Sequence, residues 1–265
     1  MQFFSYLING ISLGSVYALI ALGYTMVYGI AKMLNFAHGD VIMIGSYVVY
    51  FAFGASGLNP VLSIVLSMIV CTILGVVIER LAYRPLREAP SLAVLITAIG
   101  VSYLLQQVAQ LSWSSNPKSF TSVVSGMKPV SLFGGQLTIS AETIVTIVAC
   151  VVIMVVLMWF VNYTPAGHAM LAVSEDRGAA QLMGVNVNGT ISLTFAIGSA
   201  LAAIAGALLC SSYPTLQPTT GAMPGIKAFV AAVFGGIGSI PGAFVGGILL
   251  GIIENLSKAY ISTQL

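Results

Sequence analysis

Charged side chains are scarce in this sequence. Of 265 residues, nine are Lys or Arg and seven are Asp or Glu, which makes 6% of the chain, against 58% hydrophobic residues and a mean hydropathy of +1.02. Soluble globular proteins carry about 25% charged residues, so this composition excludes a soluble enzyme. The formal net charge of only +2 also leaves no basic surface for a polyanion, and we expect no nucleic-acid partner.

Cysteine is scarce as well. Cys71, Cys150 and Cys210 lie far apart, each inside an apolar stretch, and this placement favours small packing residues over a disulfide framework or a metal site. The chain begins without a basic segment, and its first apolar stretch runs to about Tyr28, which is too long for a signal peptide. We therefore expect the first helix to be retained.

A nucleotide-binding loop is missing too, because no G-x-x-x-x-G-K-[ST] string occurs. Ion-coupled carriers usually hold ionisable groups inside the membrane, and the candidates here fall near segment ends: Asp40, Glu79, Glu142, Lys227 and Glu254. The chain therefore cannot be its own ATPase, and if it drives transport, another protein supplies the energy. We predict that it is not an enzyme and has no catalytic residue, metal or cofactor of its own. A self-sufficient channel or secondary carrier stays open as an alternative, as does a scaffold that only assembles other proteins.

Long charge-free runs make up most of the remaining sequence. Five of them exceed the about 20 residues that a helix needs to cross a bilayer. We predict an all-α, polytopic integral membrane bundle of about eight segments, forming one transmembrane domain over 1–265. The segments lie at roughly 5–30, 41–55, 60–80, 91–112, 141–161, 190–211, 223–235 and 242–258, by hydropathy and Gly or Pro breaks.

Three of these segments, 41–55, 223–235 and 242–258, are too short or too rich in glycine for full spans. Broken helices at membrane depth are tolerated where they pack in protein or line a cavity. We therefore expect discontinuous or re-entrant helices, and we place the transport path beside them.

The predicted orientation depends on an arginine cluster. Arg80, Arg84 and Arg87 fall in the loop at about 80–90, which the positive-inside rule places in the cytoplasm. The loop at about 113–140, with Lys118 and Lys128, is then external. A second cytoplasmic loop covers about 162–190.

This second cytoplasmic loop contains the string SEDRGAAQLMG, Ser174–Gly184, which has the pattern of a short amphipathic helix. Ser174 is its predicted N-cap, Glu175 and Asp176 fall in the first turn, where the helix dipole favours acidic groups, and Gly184 is its predicted end. A solvated loop explains the same pattern equally well. The small apolar face that a partner would meet consists of Ala179, Leu182 and Met183.

The string NFAHGD, 35–40, forms a polar break between the first two segments. Asn35, His38, Gly39 and Asp40 there are candidates for a pore lining or gate. The alternative is that Asn35 and Asp40 cap neighbouring helix ends. We do not interpret His38 as a catalytic base or metal ligand, because no second ligand is in sight.

The string GGIGSIPG, 235–242, allows two interpretations. Gly235, Gly236, Gly238 and Pro241 belong either to an unwound stretch that faces the pathway or to a tight connection between two helices. Lys227, which precedes this string, can snorkel to the interface or pair with a carboxylate, and snorkelling is the commoner fate.

Four stretches together resemble one family: GSVYALIALGYTMVYGIAKMLNFAHGD (14–40), IERLAYRPLR (78–87), GVNVNGTISLTFAIGSALAAIAGAL (184–208) and KAFVAAVFGGIGSIPGAFVGG (227–247). They are similar to the LivH-type permease of branched-chain amino acid ABC importers, over nearly the whole chain. The resemblance implies translocation of leucine, isoleucine and valine across the cytoplasmic (inner) membrane of a bacterium. Related permeases for urea, short amides or sugars are the alternative.

The resemblance also implies partners: a LivM-like second permease, two cytoplasmic ATPase subunits that bind ATP and Mg, a periplasmic or surface-anchored solute-binding protein, and the lipid bilayer. It favours the docking interpretation of the cytoplasmic helix, so that Glu175, Asp176, Ala179, Leu182 and Gly184 form an ATPase-coupling loop. LivH-type relatives usually continue past an SKAYIST-like stretch with a further span. Since this chain stops at Leu265, we expect a truncated reading frame or a short variant.

Overall fold

The computed structural model describes residues 2–124, 129–132 and 137–261. Six helices in these ranges are long and apolar enough to cross a membrane, which confirms a polytopic helical bundle. The α-helices of the described ranges are α1 Gln2–Ala31, α2 His38–Val49, α3 Pro60–Ile78, α4 Ser91–Trp113, α5 Ala141–Tyr163, α6 Pro165–Glu175, α7 Arg177–Leu182, α8 Val187–Ser212, α9 Ala222–Phe234 and α10 Ile240–Tyr260. A π-helical turn, Tyr50–Ala55, extends α2, and a second one, Glu79–Tyr83, followed by the 3-10 turn Arg84–Leu86, extends α3.

Side-chain caps explain where several of these helices begin. The Asn59 side chain accepts a hydrogen bond from the backbone N–H of Val61, with Pro60 at the first helical position of α3. Ser140 caps α5 in the same manner, and Thr164 caps α6. Each cap satisfies backbone donors that a helix start leaves without a partner.

Helix α1 is the centre of the bundle, and glycine brings α10 against it. An added Cβ at Gly14 would collide with the backbone of Ile248, one at Gly251 with the backbone of Gly14, and one at Gly247 with the backbone of Ala18. Small residues allow this close approach where lipid gives helices no hydrophobic drive to associate. The small-residue spacings in 10–14 and 247–251 are therefore packing contacts.

The predicted broken helices are found in two of the three places. Helix α9 has only 13 residues, while α2 has 12 residues and continues through its π-helical turn to Ala55; neither is among the six candidate spans. The third prediction is wrong, because α10 has 21 residues and is one of the six candidate spans. Its glycines made the segment at 242–258 look unfit for a full span. They pack against neighbouring backbone instead of breaking the helix, Gly247 and Gly251 against α1 and Gly242 and Gly246 against the end of α9.

Short strands join the connections between spans. Strand β1, Lys118–Ser119, pairs antiparallel with β4, Thr215–Leu216. Strands β2, Val130–Leu132, and β3, Leu137–Ile139, form a second antiparallel pair. The predicted external loop at about 113–140 is thus described only in part, and Lys128 and the chain end at Leu265 lie outside the described residues.

Candidate transport path and coupling segment

The N-terminal ends of α2 and α9 meet inside the bundle. An added Cβ at Gly221, which precedes α9, would collide with the carbonyl oxygen of Gly39, and one at Gly225 would lie 3.0 Å from the Gly39 Cα. His38 packs against Gly23 and its neighbour Tyr24, with the His38 and Tyr24 rings 4.7 Å apart. This level lies about 12 Å along α1 from its end at Ala31. Two half-helices therefore abut at membrane depth through glycine backbone, and we call Gly39, Gly221 and Gly225 the glycine junction.

The polar side chains of NFAHGD bond to neighbouring helices. Asn35, His38 and Asp40 are all buried. Tyr83 donates a hydrogen bond to the Asn35 side chain at 2.9 Å, and Gln106 donates one to the Asp40 carboxylate at 2.9 Å. No side chain caps the start of α2 among the described residues, so the interpretation of Asn35 and Asp40 as caps is wrong. The gate interpretation stays a prediction.

The string GGIGSIPG forms the connection between α9 and α10. Gly235 and Gly242 come so close that a Cβ on either would collide with the backbone of the other, while Gly236 and Gly238 have φ values of +94° and +101°. Pro241 lies in the first turn of α10. The backbone conformation is the tight connection that was one of the two interpretations, and a role of these residues in the pathway stays a prediction.

The coupling segment differs from its predicted form. Residues 162–190 contain two helices, α6 and α7, where we expected a loop with one helix from Ser174. The N-cap of α7 is Asp176, whose side chain accepts hydrogen bonds from Gly178 and Ala179, whereas Ser174 lies inside α6 and donates to the Leu171 carbonyl. The backbone at Asp176 has φ −147° and ψ 113°, which breaks the helix there. Gly184, with φ +86°, follows the end of α7, close to the predicted end.

Helix α7 is attached to the end of α1. The Arg177 guanidinium donates to the carbonyl oxygen of Ala31. Burial, and secondly the charge of Arg87, lower the pKa of Arg177, but the group stays charged because arginine titrates far above neutral pH. Movement of α7 is thereby linked to the C-terminal end of α1, whose membrane-span window is the most buried of the six.

The apolar face of α7 has no partner among the described residues. Leu182 is 90% exposed and Met183 84% exposed, although this segment is polar and lies between two spans. Glu175, Asp176, Ala179 and Gly184 are exposed as well. The Leu182 and Met183 side chains form a small apolar surface that a partner could cover.

Lys227 pairs with a carboxylate and does not snorkel. Its Nζ donates to Glu254 at 2.7 Å, Lys258 donates to the same oxygen at 2.5 Å, and Tyr17 donates to the other oxygen at 2.9 Å. Sequence reasoning missed this cluster, because Lys227 and Glu254 are far apart in the chain. The four-residue spacing of Glu254 and Lys258 was the available signal.

A second polar cluster was missed at the opposite end. The buried Glu79 accepts from Arg87 and, at 2.6 Å, from the hydroxyl of Ser192, while Arg87 also donates to Asn188. Arg87 thus holds α3 to the start of α8. One arginine of the orientation-setting cluster is therefore a structural ion-pair residue.

Comparison with known proteins identifies the family of this chain. The family model described as "Branched-chain amino acid transport system / permease component" matches residues 6–265. The chain belongs to this family. It is 44% identical to the high-affinity branched-chain amino acid transport system permease protein LivH of Salmonella typhimurium, over 100% of this chain and 89% of that protein. It is 46% identical to BraD of Pseudomonas aeruginosa, over 94% of this chain and 84% of that protein.

A more distant relative is named for a different substrate. The ribose import permease protein RbsC of Haemophilus influenzae is 27% identical over 91% of this chain and 73% of its own length. Membership in the family and six apolar helices make this chain a multi-pass membrane permease. The three cysteines are buried free thiols inside it.

Proposed function

We propose that this chain is the membrane-spanning permease subunit of an ATP-binding cassette importer that carries leucine, isoleucine and valine across the bacterial cytoplasmic membrane. The observation that carries the proposal is the 44% identity to LivH over the whole chain. The 27% identity to a ribose permease supports a wider kinship. The difference between these identities favours amino acids over sugars.

The partners in this proposal are a second permease of LivM type, two cytoplasmic ATPases and a solute-binding protein outside. ATP and Mg belong to the ATPases, and this chain contributes no cofactor site. The exposed face of α7 is the proposed ATPase contact, because Leu182 and Met183 are apolar and uncovered. The link from Arg177 to Ala31 gives that contact a route into α1.

In the proposed mechanism the glycine junction is the gate. Gly39 and Gly221 touch backbone to backbone at membrane depth, so a separation of α2 and α9 opens a gap between them. It also changes the contacts of His38 and Phe229 with the Tyr24 ring. Half-helices whose ends meet at membrane depth are a recurrent way to build a substrate path. Closure of the ATPases would drive α7, and through α1 the junction.

Affinity purification of the tagged chain from its native membrane in mild detergent, with mass spectrometry, tests the assembly. We expect a second permease and ATPase subunits to remain bound. A matched preparation of the variant Leu182→Glu should lose the ATPases and keep the second permease. Recovery of the chain alone from the unmodified preparation would contradict the proposal and favour a self-sufficient channel or carrier.

A further inference from the structure

The end of the bundle opposite to α7 holds a cavity that carries charges of both signs. Its volume is about 300 Å³, at the lower end of small-molecule sites. Tyr17, on its wall, lies about 20 Å along α1 from Ala31, where Arg177 anchors α7. We propose that this cavity is a binding site for the carboxylate of an aliphatic amino acid, which the solute occupies before it moves inward. This inference rests on the proposed function and assigns its substrate a first site in this chain.

The charges of the cavity leave one ammonium group in surplus. Lys227 and Lys258 both donate to the same oxygen of Glu254, at 2.7 and 2.5 Å. Glu254 is the deeper group, with 9% of its side chain exposed, while 38% of Lys258 is exposed. Two partly buried cations that share one anion favour the entry of a second anion, because a partly desolvated charge needs a partner. Lys258 is therefore the group that would receive a carboxylate.

The other residues of the cavity lining suit the ammonium group and the aliphatic side chain of an amino acid. Glu254 can bind the substrate's ammonium group, since Lys258 can turn toward the incoming carboxylate. Leu13, Leu209 and Met223 supply apolar wall for an aliphatic side chain, which gains free energy on leaving water. A neutral sugar or urea would leave the surplus charge without an anion.

The cavity also adjoins the glycine junction. Thr220 lines the cavity, and the next residue, Gly221, contacts Gly39. A solute in the cavity would thus lie directly outside the contact between α2 and α9, so that separation of the two half-helices opens its way inward.

A second cavity at the same end does not share this character. It has a volume of about 510 Å³, and Glu142 is the one charged side chain in its lining. Its described lining offers hydroxyl and amide donors to a carboxylate, but no positive charge. This contrast makes Glu142 and its surroundings a suitable internal control.

Thiol labelling of the assembled transporter in membrane vesicles tests the site. Thr215→Cys places an exposed thiol in the cavity lining, and Thr219→Cys places one in the same connection outside the lining. The native cysteines are buried. Leucine at about ten times its Kd should slow labelling of Thr215→Cys about tenfold by occupying the site, and should leave Thr219→Cys unchanged.

Analogues of leucine separate the parts of the proposal. 4-Methylpentanoate keeps the carboxylate and should protect, whereas 3-methylbutylamine and ribose lack a carboxylate and should not. Adding Lys258→Gln to Thr215→Cys should abolish protection while the Lys227–Glu254 pair holds the fold together. The control Lys118→Gln, which removes another lysine outside the cavity, should retain it.

Three results would overturn the site: no protection by leucine, equal protection by the amine, or protection that persists in Lys258→Gln. If Lys258→Gln fails to assemble, the analogue series on Thr215→Cys alone decides. Leucine uptake by the same vesicles, with binding protein and ATP, distinguishes failure of the proposed site from failure of the proposed function. Vesicles that take up leucine without protection reject only this inference, and vesicles that take up none reject the proposed function.

Discussion

Helices α1 and α5 are both candidate membrane spans, yet they have opposite surroundings. The best window of α1 has a mean hydropathy of 1.6 and is 94% buried in protein, whereas that of α5 has a mean hydropathy of 3.1 and is 22% buried. The more apolar helix is the more exposed one. In a bilayer the lipid-facing side chains must be apolar, while contacts between helices favour small and polar residues, so hydropathy alone does not reveal the core of this protein.

The largest expected effect comes from placing the same side chain in both environments, the protein interior and the exposed outer surface. Gly221→Val inserts a Cβ against the backbone of Gly39, whereas Gly100→Val on α4 meets no atom within 4 Å. Overpacking costs about 1–3 kcal/mol where atoms can shift, and backbone shifts little. We expect Gly221→Val to abolish leucine uptake and Gly100→Val to retain it, with surface expression as the control. Normal uptake in Gly221→Val would contradict the junction as a closed contact.

A second variant tests whether an exposed apolar side chain faces a protein partner or lipid. Leu182 is more exposed than the outer apolar side chains of α4 and α5, but it lies on α7 between spans. Leu182→Glu should abolish uptake and ATPase association while membrane insertion continues, because the apolar contact gains an unpaired charge. Leu182→Met keeps the apolar surface and should transport normally. Unchanged uptake in Leu182→Glu would remove α7 from the coupling hypothesis.

A third variant tests the polar contacts of the protein-facing side. Glu79→Ala leaves the Arg87 guanidinium without its buried partner, and breaking such a pair costs about 3–5 kcal/mol. Thermal unfolding in detergent should show a clear loss of stability. Glu88→Ala, at an exposed glutamate in the following loop, should unfold like the original protein. Equal stability of the two variants would mean that Glu79 does not hold α3 to α8.

The smallest expected effect comes from a single hydroxyl. Ser67 on α3 donates a hydrogen bond to the Gly45 carbonyl of α2 at 2.8 Å. Such bonds between membrane helices contribute about 0.6 kcal/mol on average, so Ser67→Ala should lower the free energy of unfolding by about that amount. Ser112→Ala, at the exposed end of α4, should change it by less. A larger loss from Ser112 would reverse the assigned inner and outer faces.

Much of the fold follows from the sequence where local physics decides. The long spans appear where charge-free runs predict them, since length and hydropathy suffice for a helix in lipid. The segment before Asp176 was misjudged because Ser174 and Asp176 are both good caps two residues apart. Only the extended backbone at Asp176 separates them, and the sequence does not encode that choice locally.

The polar clusters could not be predicted from the sequence, for a different reason. Glu254 bonds to Lys227 on another helix and to Tyr17 at the far end of the chain, and no local pattern predicts which helices become neighbours. The full length of α10 was not predicted for the same reason. Its glycines lower helix propensity, and their role in packing depends on contacts with the backbone of α1, which is distant in the sequence.

Leucine uptake into proteoliposomes is the most direct test of the central claim, that this chain is the permease of an ATP-driven branched-chain amino acid importer. The chain should be reconstituted with a LivM-type permease, both ATPases, enclosed ATP and external binding protein, and in parallel by itself. We predict uptake that requires ATP, binding protein and the second permease, and none by the chain alone. Leucine flux through the chain alone, or no ATP-dependent uptake by the full set, would contradict the claim.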